Sequence, residues 1–217
     1  LHLLPTLWYR NTWIWGCKHE GCLIKPSMQA LGDSMVQAEH VTFGTHVLVA
    51  GPGPDGAPPS WLFTENETNT RKLFGTDTWT PYLKDAFHEY LVHGRRDAVN
   101  PGRVGTKVAA HYRLDVPAGG VVTVPLRLAA QRTGSVAAAG EDFERVFRNR
   151  RREADEFYAD RLPPGMTDEE RGTVRQAYAG LLWSKQFYYY DVKRWLKGDP
   201  TGADLPKERL HGRNSDW

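Results

Sequence analysis

The segment Cys17-Lys18-His19-Glu20-Gly21-Cys22 is the one stretch of this sequence with metal-ligand chemistry. Zinc takes four nitrogen or sulfur ligands in a tetrahedron, and Cys17, His19 and Cys22 supply at most three. With two cysteines in the chain, no second pair completes the set. The expectation is an ordinary loop with free thiols, holding no metal, in a chain that needs no cofactor. Glu65 and Glu67 are a carboxylate pair two residues apart, on one face if the backbone is extended. A glycosidase needs two carboxyl groups, but on opposite sides of a sugar and roughly 5–10 Å apart. Neighbouring strand carboxylates seldom provide that, so Glu65 and Glu67 read as surface or interdomain polar contacts. Asn66-Glu67-Thr68 matches the glycosylation triplet and, without a secretory segment beside it, reads as a turn. The run from Gln186 to Leu196 carries Tyr188, Tyr189, Tyr190, Asp191 and Trp195. Such side chains stack on sugar faces and grip hydroxyls, but they also pack helices, and packing is favoured for any single ring. Neither a G-x-S-x-G elbow nor a P-loop is present. Spacing alone therefore supports no specific reaction.

Composition narrows the partners. The 217 residues carry a formal net charge of +2, which gives no electrostatic case for nucleic acid or an anionic membrane. No apolar run approaches the ~20 residues that span a bilayer. Eight Trp, nine Tyr and eight Phe are an aromatic excess, suited to sugar sites and to a packed β-sandwich alike. The sequence opens on Leu1 with no leader and closes on Trp217 without a polar tail. Both ends read as cuts through ordered structure, so the chain is expected to be an internal fragment. Two cysteines suit a reducing compartment, and a cytoplasmic parent is the expectation.

The elements that must position these residues change type along the chain. Residues 1–130 read as β structure with long loops. Leu3, Leu7 and Tyr9 alternate, and Pro5 marks an edge strand or a bulge. Val41–Val49 is a strand that ends in the Gly- and Pro-rich loop 51–59, and Trp61-Leu62-Phe63 is a short one. Val108, Ala110, Tyr112, Leu114 and Val116 alternate. A turn at Pro117-Ala118-Gly119-Gly120 follows, and Val122, Val124, Leu126 and Leu128 alternate back, predicting a hairpin. One helix is predicted over Pro81–Leu91, with Gly94 at its end. After the small-residue linker 134–140 the period becomes helical. A charged helix carries Phe143, Val146, Phe147, Phe157 and Tyr158, with Arg148–Arg152 as a solvated face. Leu162-Pro163-Pro164-Gly165 breaks it, and the capping box of Thr167 and Glu170 opens another. The reading is α+β, with five or six strands and three helices: part of an antiparallel β-sandwich over 1–130, a helical linker over 131–166, and further helices over 167–217.

Several separated motifs share one resemblance. Leu1–Trp13, Phe63-Thr64-Glu65-Asn66-Glu67-Thr68-Asn69, Lys84-Asp85-Ala86-Phe87-His88, Val92-His93-Gly94, Ala98-Val99-Asn100-Pro101, Gly105-Thr106-Lys107, Trp183–Tyr188 and Gly212–Trp217 resemble the bacterial glucosidase-like proteins of glycoside hydrolase family 63, with their mannosylglycerate-hydrolase-like domain. The Cys17–Cys22 stretch departs from that pattern. The resemblance implies an N-terminal β-sandwich, a helical linker and an (α/α)6 barrel that holds the active site. It implies inverting hydrolysis of α-glucosidic bonds, with an Asp acid and a Glu base separated by roughly 6.5–9.5 Å. It puts both catalytic groups beyond Trp217, so no catalytic residue is assigned here, and the fragment alone is expected to be inert. Arg213, Asn214 and Trp217 are the residues it implies near the sugar. An oligosaccharide or small glucoside and the remainder of the parent chain are the expected partners. The alternative is a sandwich that binds carbohydrate, or braces a neighbour, without chemistry.

Overall fold

The computed structural model of the protein describes residues 1–14, 18–130, 136–184, 191–197 and 206–211. In chain order these form β1 (His2–Leu3), β2 (Thr6–Trp8), α1 (Glu20–Leu23), β3 (Ser27–Ala30), β4 (Met35–His40), β5 (Gly44–Ala50) and β6 (Ser60–Thr64). Then come α2 (Thr70–Phe74), α3 (Ala86–Leu91), β7 (Val104–Gly105), β8 (Lys107–Arg113), β9 (Leu126–Ala130), α4 (Glu141–Arg161), α5 (Asp168–Ser184) and α6 (Val192–Lys197). Short 3-10 turns lie at Arg96–Ala98 and Lys207–His211. The protein is α+β, every strand pairing is antiparallel, and the chain divides into two compact units, residues 1–139 and a second beginning at Gly140. No helix among the described residues is long and apolar enough to cross a membrane.

The first unit holds two sheets. In one, β8 is flanked by β6 on one side and by β1 and β2 on the other. The other has the order β7-β3-β4-β5-β9. Alternation sends Met28, Val36, Ala38, Leu48 and Ala50 from the second sheet into one core with Trp61, Phe63, Val108, Ala110 and Tyr112 from the first. Pro5 sits on an edge, as its missing donor requires. It interrupts β1 and β2 without a bulge, because His2 faces Arg113 and Thr6 faces Ala109 in one continuous register. The β4–β5 hairpin turns at Val41-Thr42-Phe43 with Gly44 at φ +71°, a three-residue loop closed by a left-handed glycine. Between β7 and β8 the chain steps from one sheet to the other. A Cβ at Gly105 would lie 2.4 Å from the Thr64 carbonyl oxygen, so only glycine lets the two backbones approach.

Three expectations are corrected. The segments around Pro117–Gly120 form no hairpin, because β9 pairs with β5 in the opposite sheet. The turn itself exists, with Gly120 N donating to Pro117 O at 2.9 Å. Alternation reports which face a strand buries but not its partner, and β8 has both edges already occupied. The helix predicted over Pro81–Leu91 begins only at Ala86. The backbone before it is committed elsewhere: Glu65 N donates to Tyr82 O and Lys84 N to Glu67 O, both at 2.9 Å. The described residues also contain nine strands and six α-helices, more than five or six strands and three helices. The additions are short pieces such as β3, β4, α1 and α2.

In the second unit α4 starts with Glu141, Asp142 and Glu144 in its first turn, where the helix dipole favours negative charge. It ends at Leu162, which is extended ahead of Pro163. Arg150 pairs with Glu153 at 2.6 Å and Arg152 with Glu156 at 3.5 Å on its exposed face, so the basic run is solvated and internally paired. The capping box forms as read: Thr167 N donates to Glu170 Oε2 at 2.8 Å and Glu170 N to Thr167 Oγ1 at 3.3 Å. Arg175 ties α5 to α4 through Asp155 at 2.6 Å and lies over the Tyr158 ring.

Candidate functional site

The loop that follows β6 builds the site. Thr64 Oγ1 donates to Leu83 O at 2.6 Å, and Asn66 donates through its backbone N to Thr106 Oγ1 and through Nδ2 to Tyr9 O. Asn69 accepts from Lys72 N at 3.0 Å, capping α2, and its Nδ2 reaches both Asp85 oxygens at 3.2 Å. The 63–69 motif is therefore a polar knot that fixes the loop. Asn66 is buried with its amide donated inward, which leaves it closed to glycosylation in the folded state.

Glu65 and Glu67 are the centre of that knot and not surface contacts, which corrects the sequence expectation. Both converge on the Lys25 ammonium, at 3.1 and 3.2 Å. Glu65 also accepts from Thr106 Oγ1 at 2.7 Å. Glu67 accepts one indole N–H on each oxygen, from Trp13 at 2.8 Å and Trp79 at 2.6 Å. Buried carboxylates need such partners to offset lost hydration. Lys25 sits 3.8 Å from the Trp79 ring centroid, a cation–π contact. Trp79 is thereby pinned by its N–H and by its ring while remaining 66% exposed.

The exposed part of Trp79 looks onto an open cleft of about 650 Å³, bounded by α2, the loop before α3, α3 itself and the turn Arg96–Ala98. This size lies within the usual range for small-molecule sites. Three bases (Arg71, Lys72, Arg95) and three acids (Asp85, Glu89, Asp97) line it together with Thr78 and Thr80. Lys72 bridges Glu89 at 2.8 Å and Asp85 at 3.4 Å. Arg95 lies 3.8 Å from Glu89 and 3.7 Å from Asp97. The hydrogen bond from Lys72 holds the Glu89 carboxyl below its ordinary range, and the charges of Lys72, His93 and Arg95 act in the same direction. The Lys72 ammonium is raised by the same bonds to Glu89 and Asp85. A general acid needs a carboxyl that keeps its proton near neutral pH, and Glu89 is pushed the opposite way. Donors and acceptors are balanced beside one ring, and among the described lining residues each carboxylate is paired with a cation.

Arg213, Asn214 and Trp217 lie outside the described residues, as do Cys17 and Gln186–Tyr190. Of the last run, Asp191 precedes α6, where Val192 and Leu196 are buried four residues apart while Trp195 stays 47% exposed. Cys22 is half-buried in α1, and its carbonyl accepts from Thr12 Oγ1 at 3.2 Å. Among the described residues no group of three His, Cys, Asp or Glu side chains converges as a metal site. Sequence reading missed Lys25, Lys72, Trp79 and Arg95. The available signal for Trp79 was a lone Trp in the polar stretch Thr76-Asp77-Thr78-Trp79-Thr80, with no apolar periodicity to explain it.

The chain is 36% identical over 246 aligned positions to Uncharacterized protein YMR196W of Saccharomyces cerevisiae, an alignment that covers 100% of this chain and 22% of that protein. The chain thus spans about a fifth of the length of the curated relative it matches. No family model matches it, and no solved structure matches it.

Proposed function

We propose that the chain is the sandwich and the opening helices of a longer glycoside hydrolase, an inverting α-glucosidase acting on α-linked glucosides. Its own part is to hold saccharide; it supplies neither the acid nor the base. The observation that carries this reading is the cleft beside Trp79. Two segments that resemble glycoside hydrolase family 63, Phe63–Asn69 and Lys84–His88, contribute Asn69, Asp85 and Ala86 to its lining, and Glu67 of the first fixes the exposed Trp79 indole there. Stacking on an aromatic face with hydroxyls bound by charged side chains suits a sugar ring. Every carboxylate at the cleft has a cationic partner, which supports binding in preference to acid–base catalysis. Leu181, Leu182 and Trp183 of α5 are 69%, 60% and 80% exposed. Those exposed apolar side chains at the end of α5 suit burial under further helices of an (α/α)6 barrel.

The test compares the 217-residue chain with the longer protein on an aryl α-glucoside and on α-linked disaccharides, following the product anomer by NMR. The longer protein is expected to release the inverted β-anomer, while the chain alone binds without turnover. Turnover by the chain, lost on Glu89→Gln, would put the active site in the wrong place. A longer protein that binds saccharides without cleaving them would leave a carbohydrate-binding module.

A further inference from the structure

A second concavity, of about 300 Å³, lies in the same unit and is lined by Ser60, Tyr90, Arg96, His111 and Arg113, with Asp55 as its acidic member. Tyr90 belongs to α3, as do the cleft residues Ala86 and Glu89, but it faces this second space. The Arg96 guanidinium lies over the Tyr90 ring, 4.3 Å from its centroid. Tyr90 in turn meets His111 edge-on, with centroids 6.2 Å apart. His111 stacks on His2, and His2 Nδ1 is 2.7 Å from His111 Nε2.

The charges here are not balanced as they are at the first cleft. Asp97, the sequence neighbour of Arg96, is turned to Arg95 at 3.7 Å. Asp55 accepts the Ala57 N–H at 3.0 Å. Among the described residues neither Arg96 nor Arg113 has a carboxylate within ion-pair distance. Burial lowers the pKa of His111, and His2, Arg96 and Arg113 lower it further, so the charges that face it from β1, the 3-10 turn and its own strand are all positive. Two guanidiniums from separate elements, one already oriented by stacking, outnumber the one carboxylate of Asp55 and leave a concave surface with an excess of positive charge.

We propose that this concavity is a binding site for the phosphate group of a small ligand. Arg96 and Arg113 approach from different elements, which suits a tetrahedral oxyanion with several acceptor oxygens; a planar carboxylate is satisfied by a single fork. Ser60 and His111 add polar groups at its edge, and the volume admits a phosphorylated molecule of monosaccharide size. The site is separate from the saccharide cleft and does not depend on its assignment.

The chain is titrated with inorganic phosphate, sulfate and glucose 6-phosphate at constant ionic strength set by sodium chloride. Histidine ring NMR and thermal melting follow binding. Saturable binding that moves the His2 and His111 resonances and raises the melting temperature is expected. Arg96→Met with Arg113→Met should weaken it at least about tenfold, while Arg145→Met on α4 leaves it unchanged. Sulfate keeps its charge across the range, so it should bind more tightly as pH falls through the window below 6.5 in which His111 gains its proton. The paired Arg→Lys variants, checked for folding by circular dichroism, keep the charge but lose the fork, and should fall between wild type and the Met pair. The tighter of inorganic phosphate and glucose 6-phosphate identifies a free or a sugar-borne phosphate. A response equal to that of sodium chloride alone, or a folded Met pair that binds as wild type does, overturns the proposal.

Discussion

Replacing Glu67 by Ala removes the acceptor of two indole N–H groups and one of the two carboxylates on Lys25. Hydrogen bonds to a charged group contribute about 1.5–3 kcal/mol each. Trp79 is 66% exposed, so water can replace its lost acceptor, and its share lies at the low end. Trp13 is half-buried and loses more. Lys25 keeps Glu65 at 3.1 Å, so the cost of about 3–5 kcal/mol for an orphaned buried charge does not apply. The expected loss is about 3 kcal/mol, or roughly 6–12 °C in melting temperature. Glu67→Gln retains one acceptor oxygen but turns an amide N–H toward the second indole, and should lose about half as much. Urea and thermal unfolding followed by Trp fluorescence measure both. An Ala variant within about 0.5 kcal/mol of wild type, or a Gln variant as damaging as Ala, would refute the argument that Glu67 organises the knot. The Ala variant should also bind saccharide less tightly, because Trp79 loses its anchor although no cleft side chain has changed.

Gly105→Ala forces a Cβ against the Thr64 backbone and should cost about 1–3 kcal/mol in urea unfolding; a neutral result would mean the two sheets separate freely at that corner. Thr167→Ala removes the acceptor of Glu170 N and should cost about 1 kcal/mol, read as faster hydrogen exchange confined to the first turn of α5. Because the folded-state pKa of His111 lies below its ordinary 6.5, the unfolded chain binds the proton first. Stability is then full above pH 6.5, falls as pH drops through the window below it, and levels once the folded value is passed. The urea midpoint of His111→Gln should fall less over that window, and an equal slope would show that other groups dominate.

How far the sequence could be read depends on what each signal encodes. Period two points to β8, where Val108, Ala110 and Tyr112 line one core, and the capping box of α5 is a local event within four residues. Pairing is not local. Nothing in Val108–Leu128 shows that β8 already has β6 on one edge and β1 and β2 on the other, and so a hairpin was read where the chain crosses between sheets. The apolar stripe of Pro81–Leu91 has a helical period, yet hydrogen bonds from Glu65 and to Glu67 hold its first part out of the helix. The same non-locality hid the site. Lys25, Trp13, Trp79 and Glu67 come from four separate stretches, and the pattern Glu65-Asn66-Glu67 cannot reveal two indoles and an ammonium brought to it by folding.

Steady-state kinetics of the longer protein with Trp79→Ala test most directly the proposal that Trp79 holds saccharide for chemistry performed elsewhere in that protein. An α-linked disaccharide is the substrate. Loss of stacking that is equal in ground state and transition state raises KM at unchanged kcat. The prediction is KM higher by about tenfold, the equivalent of about 1.4 kcal/mol of lost binding, with kcat within about twofold. An unchanged KM, or a kcat that collapses while KM holds, would contradict it.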